Sequence, residues 1–280
     1  MDIRLIIVPC DSGIPGWRMG AGPDHLLRAG AADRLRDAGH AVTVDRIELP
    51  SAAPEIAAAF AIAAGLSERV SAARAEGAFP IVLAGNCATA MGTLAGLVDA
   101  DPAVLWLDAH ADLNTPETTR SGMLDGMALA IATGRCWPAL AASIPGFRAI
   151  PDAHVCLVGA RDVDAGEADL LRRSALTVIA PADVPVRLSA ALDTLRTRTE
   201  TVYLHVDLDV LDPGEGTVNA FAAPDGLRLD DVLELIAAVR SRFRLGAVAL
   251  TAYDPSFDTD GRIAAAAIAI LHALTRPGGT

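Results

Sequence analysis

Two short segments, WLDAHAD at residues 106–112 and VYLHVDLDV at residues 202–210, carry Asp108, His110 and Asp112 in one and Asp207 and Asp209 in the other. Alternate side chains of an extended strand share a face, so these hard ligands are expected to meet at one spot where their strands run out. Four carboxylates gathered without a cation would repel one another and be costly to bury, and a metal cluster is the simplest way to make such a site stable. An isolated DxD is often no more than a solvated turn. Here both motifs follow runs rich in β-branched and aliphatic residues, 103–107 and 201–206, which places the acids at the carboxyl ends of buried strands. Ligands bind there in open α/β sheets, and the doubled spacing favours the metal reading. Carboxylate-rich coordination suits manganese or magnesium better than copper or zinc, and manganese is the expected ion.

Strand-like runs at 3–8, 41–44, 80–84, 103–107, 154–159, 177–180, 201–207 and 246–252 alternate with helix-like stretches at 54–76, 88–98, 167–173, 186–196, 229–242 and 261–274. That alternation predicts an α/β three-layer sandwich, a mainly parallel, roughly eight-stranded sheet flanked by helices. No break in composition divides the 280 residues, so one domain spanning 1–280 is expected. Loops rich in Pro and Gly lie at 13–22, 115–122 and 213–226, and the polar segment 112–126, directly after the first metal motif, is the candidate substrate loop.

A net charge of -12 argues against nucleic acid or an anionic membrane surface as partner. The apolar amino terminus reaches Pro9 too soon for a signal peptide, and the apolar stretches 56–66 and 263–271 fall short of a bilayer span, so a cytoplasmic protein is expected. Cys10, Cys87, Cys136 and Cys156 form no CxxC pair, which makes disulfides and a zinc knuckle unexpected.

Over most of its length the chain resembles the ureohydrolase family, which includes arginase, agmatinase and formiminoglutamase. The motifs are RMGAGPDHLLRAG, LAGNCATAMG, WLDAHADLNTPETTRSGMLDGM, VGARDVDAGE, LHVDLDVLDP and YDPSFD. The resemblance implies two manganese ions with a bridging hydroxide that attacks a guanidinium carbon. It makes Asp108 and Asp207 bridging ligands, gives His110 and Asp209 to one ion and Asp112 to the other. It also implies an amino-acid handle: Asn114, Thr119 and Ser121 for the α-carboxylate, Asp164 and Glu167 for the α-ammonium.

Departures from the family pattern are equally informative. Where the family has GGDHS with a ligand histidine, this chain has GNCAT, placing Cys87 at the ligand position. Cys87 is either a thiolate ligand, the preferred reading beside four acids and a cation, or a small buried apolar residue. The family's loop histidine is replaced by Asp125, either a proton carrier or a loop acid. His205 stands where the family usually has Ser, and is either a proton carrier or a core histidine with its hydrogen bonds met. The glutamate that grips the guanidinium is replaced by Ala252, with Asp254 two residues on as a partial substitute or a turn residue. One position of the carboxylate set becomes Met123.

The amino-acid handle is thus retained while the guanidine end is rebuilt, which fits a group less basic than guanidinium. The expected reaction is hydrolysis of N-hydroxy-L-arginine to ornithine and hydroxyurea, with Asp112 or His205 relaying the proton. The alternatives are another ureohydrolase activity on a related small molecule, or a non-catalytic binding or regulatory relative. The chain ends at RPGGT soon after its last helix, which tilts the expectation toward a monomer.

Overall fold

Aliphatic and β-branched runs build the sheet, and their ends fix where the polar residues emerge. The computed structural model describes residues 1–49, 53–97 and 100–276. The strands are β1 (Asp2–Val8), β2 (Cys10–Asp11), β3 (Ile14–Pro15), β4 (Ala41–Arg46), β5 (Phe79–Ala84), β6 (Ala103–Leu107), β7 (Val155–Val158), β8 (Thr177–Ile179), β9 (Thr201–Asp207) and β10 (Arg244–Thr251). Among the described residues, eight of them form one sheet in the order β4-β1-β5-β10-β9-β6-β7-β8, every neighbouring pair parallel, while β2 and β3 make a separate antiparallel hairpin.

The helices are α1 (Gly22–Arg28), α2 (Ala31–Asp37), α3 (Glu55–Ala75), α4 (Ala90–Ala95), α5 (Ala128–Ala132), α6 (Pro138–Ala141), α7 (Ala165–Arg173), α8 (Val184–Arg196), α9 (Leu229–Arg240) and α10 (Arg262–Thr275). One face of the sheet, with Leu5, Leu83, Leu105 and Leu204, packs on residues of α1, α2, α8, α9 and α10. The other, with Ile6, Val82, Trp106 and Tyr203, packs on α3, α4 and α5. The strands are apolar on both faces because both are covered, which is why they read as continuous runs. At 21 residues α3 is long and apolar enough to cross a membrane by length and composition, more than the stretch 56–66 promised. Its Phe60, Ile62, Leu66 and Val70 sit in the core under the sheet, whereas Glu68 and Arg69 are exposed.

Two expectations change in detail. The stretch 88–98 is not one helix: Cys87–Thr89 is a single 3-10 turn leading into the short α4, and Val98 lies outside the described residues. The glycine- and proline-rich stretch 13–22, read as a loop, gives way at Gly22 to α1, whose Pro23 occupies a first-turn position where no intrahelical N–H is needed. Of the terminal RPGGT only Arg276 is described.

Candidate metal centre

The carboxyl ends of the four adjacent central strands, β5, β10, β9 and β6, converge on one cluster. β9 ends on Asp207, and the following 3-10 turn, Leu208–Val210, carries Asp209, whose backbone N–H donates to Asp207 Oδ1 at 2.8 Å. β6 stops at Leu107, before Asp108, and Asp112 adopts a left-handed backbone with φ 53. The acids therefore meet through turns rather than through the continued strand alternation that the spacing implies.

His110 Nδ1 lies 3.3 Å from Asp108 Oδ1 and 3.4 Å from Asp209 Oδ2. Cys87 Sγ lies 3.0 Å from Asp207 Oδ2. Donor atoms of Asp108, His110 and Asp209 fall within 4.8 Å of one another, as do those of Cys87, Asp108 and His205. Asp108, Asp112, Asp207, Asp209 and Cys87 are buried, and His110 is partly open.

Crowding shows in the acidities. Burial, then the charge of Asp209, pushes Asp207 well above the carboxylate range, and burial, then Asp108, does the same to Asp112. Asp108 is raised by burial and by Asp209. Burial would raise Asp209 too, but the hydrogen bond and charge of His110 outweigh it and leave the group low. Burial pulls His110 down, yet hydrogen bonds to Asp108 and Asp209 lift it well above the imidazole range. The Cys87 thiol is pushed up by burial and then by Asp207, Asp125, Asp112 and Asp108. This corrects one step of the sequence argument: the acids hold the thiol proton on, and only a cation reverses them.

The donor set fits divalent cations. Asp112 Oδ2 is buried with no hydrogen-bond partner, a cost that a cation removes. Hard carboxylates with one imidazole and one sulfur suit a pair of first-row dications, whose binding displaces the protons held by His110 and Cys87.

Several supporting residues carried no sequence signal. Trp106 Nε1–H donates to Asp108 Oδ2 at 2.9 Å. Asn219 Nδ2 donates to the Ala252 carbonyl at 2.8 Å and to Asp209 Oδ2 at 3.4 Å. The Arg161 guanidinium donates to the carbonyls of Asp209 at 2.9 Å, Ala223 at 2.8 Å and Pro224 at 2.9 Å, tying the turn that holds Asp209 to the loop beyond it. A Cβ at Gly85 would run into the Cys10 carbonyl oxygen, so only glycine lets the turn before Cys87 pack there.

A pocket of about 250 Å³ opens over the cluster, lined by Cys87, His110, Asp112, Asp207 and Asp209 together with Asn114, Ser121, Met123, Asp125, Asp164, Glu167 and Ala252. A cavity of about 350 Å³ between α2, α9 and α10 is lined by aliphatic residues, three arginines and His272, with no carboxylate or thiol. Asp125 Oδ1 accepts from the Cys87 N–H at 2.6 Å, and burial followed by Asp11 pushes its carboxyl up to about 8. Glu167 accepts from the backbone of Leu113 at 2.8 Å and of Asp164 at 3.0 Å, closing the first turn of α7 while facing the pocket. Asn114 Nδ2 donates to Asp164 Oδ2 at 3.1 Å.

Four expected site residues are not in the pocket wall: Asp108, which lies in the buried cluster beneath it, and Thr119, Asp254 and His205. Thr119 Oγ1 accepts from the Gly122 N–H at 3.0 Å in a surface turn. Asp254 is turned away because Ala252, at φ 64, breaks the alternation after β10; its Oδ1 accepts from Ser256 N–H and Oγ–H at 2.9 and 2.7 Å. His205 lies beneath the cluster, stacked on Trp106 and outside the pocket wall, and burial pulls it down to about 3.

A parallel α/β sheet that gathers carboxylates, imidazole and thiol at the ends of its central strands has the architecture of metal-assisted hydrolysis. The chain belongs to the arginase family, whose profile matches residues 1–275. It is 29% identical to an arginase from Brucella melitensis, with 98% of this chain and 96% of the relative covered. It is 36% identical to an N(omega)-hydroxy-L-arginine amidinohydrolase from Streptomyces lavendulae over 57% of this chain and 56% of the other. The arginase structure from Bacillus caldovelox superposes with a TM-score of 0.90 at 27% identity, covering 100% of this chain and 98% of that one.

Proposed function

We propose that the protein hydrolyses the guanidino-type carbon of an arginine-like amino acid, with N-hydroxy-L-arginine preferred over L-arginine and ornithine and hydroxyurea as products. The observation that carries the substrate choice is Ala252 in the pocket wall, with Asp254 turned away: the side chain at that position offers no carboxylate to a guanidinium. With the cluster acids engaged by cations, a guanidinium would lack a carboxylate clamp at position 252, whereas an N-hydroxyguanidine, made less basic by its oxygen, needs that clamp less. The similarity to the Streptomyces lavendulae amidinohydrolase supports this choice.

Cys87, Asp108, His110, Asp112, Asp207 and Asp209 would hold two manganese ions. Bound there, the pair supplies a water acidic enough to attack near neutral pH. Asp164 and Glu167 set negative charge on the wall that receives an α-ammonium, and Asn114 and Ser121 offer donors to an α-carboxylate. Asp125 has Oδ1 engaged by the Cys87 N–H, leaving Oδ2 to carry a proton. Its high proton affinity, drawn back toward neutrality by nearby cations, suits delivery of that proton to the departing amine.

Steady-state assays with manganese on L-arginine, N-hydroxy-L-arginine, agmatine and formiminoglutamate test the reading. Comparable kcat/KM for arginine and hydroxyarginine refutes the selectivity argument, and no turnover of any of the four refutes the hydrolytic reading.

A further inference from the structure

Beneath the cluster, four buried side chains form an unbroken line. Tyr203 OH lies 2.9 Å from His205 Nδ1, His205 Nε2 lies 3.3 Å from Thr251 Oγ1, and Thr251 Oγ1 lies 3.3 Å from Cys87 Sγ. Strand pairing builds it: Trp106 stands opposite His205 across β6 and β9, and Thr251 stands opposite Asp207 across β10 and β9. The imidazole is held face to face with the Trp106 indole, ring centroids 3.7 Å apart at 12°. A polar ring at 0% exposure is costly unless hydrogen-bonded, and both of its nitrogens find their partners in this line.

Counting protons leaves few arrangements. A neutral imidazole has one N–H and one acceptor nitrogen, and each hydroxyl has one proton. A sulfur that ligates a metal has no proton and can only accept. Thr251 O–H must then point at Cys87 Sγ, its oxygen must accept from Nε2–H, and Nδ1 must accept from Tyr203 O–H. A protonated thiol donates to Asp207 Oδ2 at 3.0 Å and leaves the line free to run either way; only loss of that proton fixes its direction.

We propose that His205 is a positioning residue of the metal site: held by Tyr203 as the Nε2–H tautomer, it turns the Thr251 hydroxyl onto Cys87 and keeps the sulfur as a hydrogen-bonded metal ligand. This rests on the reading of Cys87 as a ligand. Partners of this kind orient a ligand and tune its electron density, and losing one typically weakens metal binding about 10- to 100-fold. His205 thus acts through Thr251 and never meets the substrate.

The test is titration of metal-stripped protein with cobalt(II), read by the sulfur-to-cobalt charge-transfer band, with nitrogen-15 NMR of the cadmium-loaded protein reporting the His205 tautomer. The parent is expected to show the band and the Nε2–H tautomer. Thr251→Val should weaken cobalt binding about 10- to 100-fold and move the band to longer wavelength, since the unbonded sulfur gives up electrons more easily. Thr251→Ser should restore both, and Tyr203→Phe should release the tautomer and weaken binding by a smaller factor. A band present in the parent but unmoved in Thr251→Val and Tyr203→Phe, at unchanged affinity, overturns the inference, as does Nδ1–H in the loaded protein. A parent with no such band removes Cys87 from the ligand set and overturns the inference together with the reading beneath it.

Discussion

Asp125→Asn should stabilise the metal-free protein, and should do so more as the pH rises. Asp125 Oδ1 accepts the Cys87 N–H at 2.6 Å, an acceptor that Asn keeps, so the substitution removes charge with little change of shape. Burial, Asp11, Asp108 and Asp209 move the carboxyl from 3.8 to about 8. Counted in full, that difference corresponds to roughly 6 kcal/mol. Asp125 lines a pocket that water enters, and screening there reduces the expected effect to about 2–3 kcal/mol. The folded group holds its proton to higher pH than the unfolded one. The parent therefore has this contribution in full below about pH 4 and loses it as the pH rises to 8. Asn has no such dependence. Urea unfolding with chelator at pH 4, 6 and 8 should show the advantage of Asp125→Asn growing from near zero to about 2–3 kcal/mol, and saturating manganese should shrink it. An advantage that is absent at pH 8, or that falls with rising pH, refutes the electrostatic account of the cluster.

Cys87→His should tighten manganese binding, measured by calorimetry, and shift the ratio of kcat/KM values toward L-arginine. Arg161→Ala strips donors from the carbonyls of Asp209, Ala223 and Pro224 and should cost about 2–4 kcal/mol in denaturant unfolding; Arg161→Lys should recover only part, because an ammonium lacks the planar fork. Glu167→Gln keeps an acceptor for Leu113 N–H or Asp164 N–H and loses the charge facing the pocket, so KM for the amino-acid substrate should rise about tenfold with a smaller change in kcat.

Buried parallel strands announce themselves as continuous aliphatic runs, so 103–107 and 201–207 are legible to the residue, and the convergence of the acids that follow them with it. Legibility ended where the strands did. Alternation put Asp254 on the side of Ala252, but a left-handed Ala252 turned it away; the same backbone state at Asp112 keeps that acid in the pocket. Alternation puts His205 on the face of Asp207, but its complete burial is a matter of depth along the strand, and spacing carries no depth. Tyr203, Thr251, Asn219 and Arg161 matter through cross-strand register and long-range contacts, which no local pattern records.

The central claim is that Cys87, Asp108, His110, Asp112, Asp207 and Asp209 hold a pair of divalent ions. Anomalous scattering at the manganese edge from a crystal grown with manganese tests it most directly. Two peaks are expected within this cluster, held by these six side chains with the Cys87 sulfur among the ligands. No peak within the cluster, or side chains drawn apart from any bound ion, contradicts it.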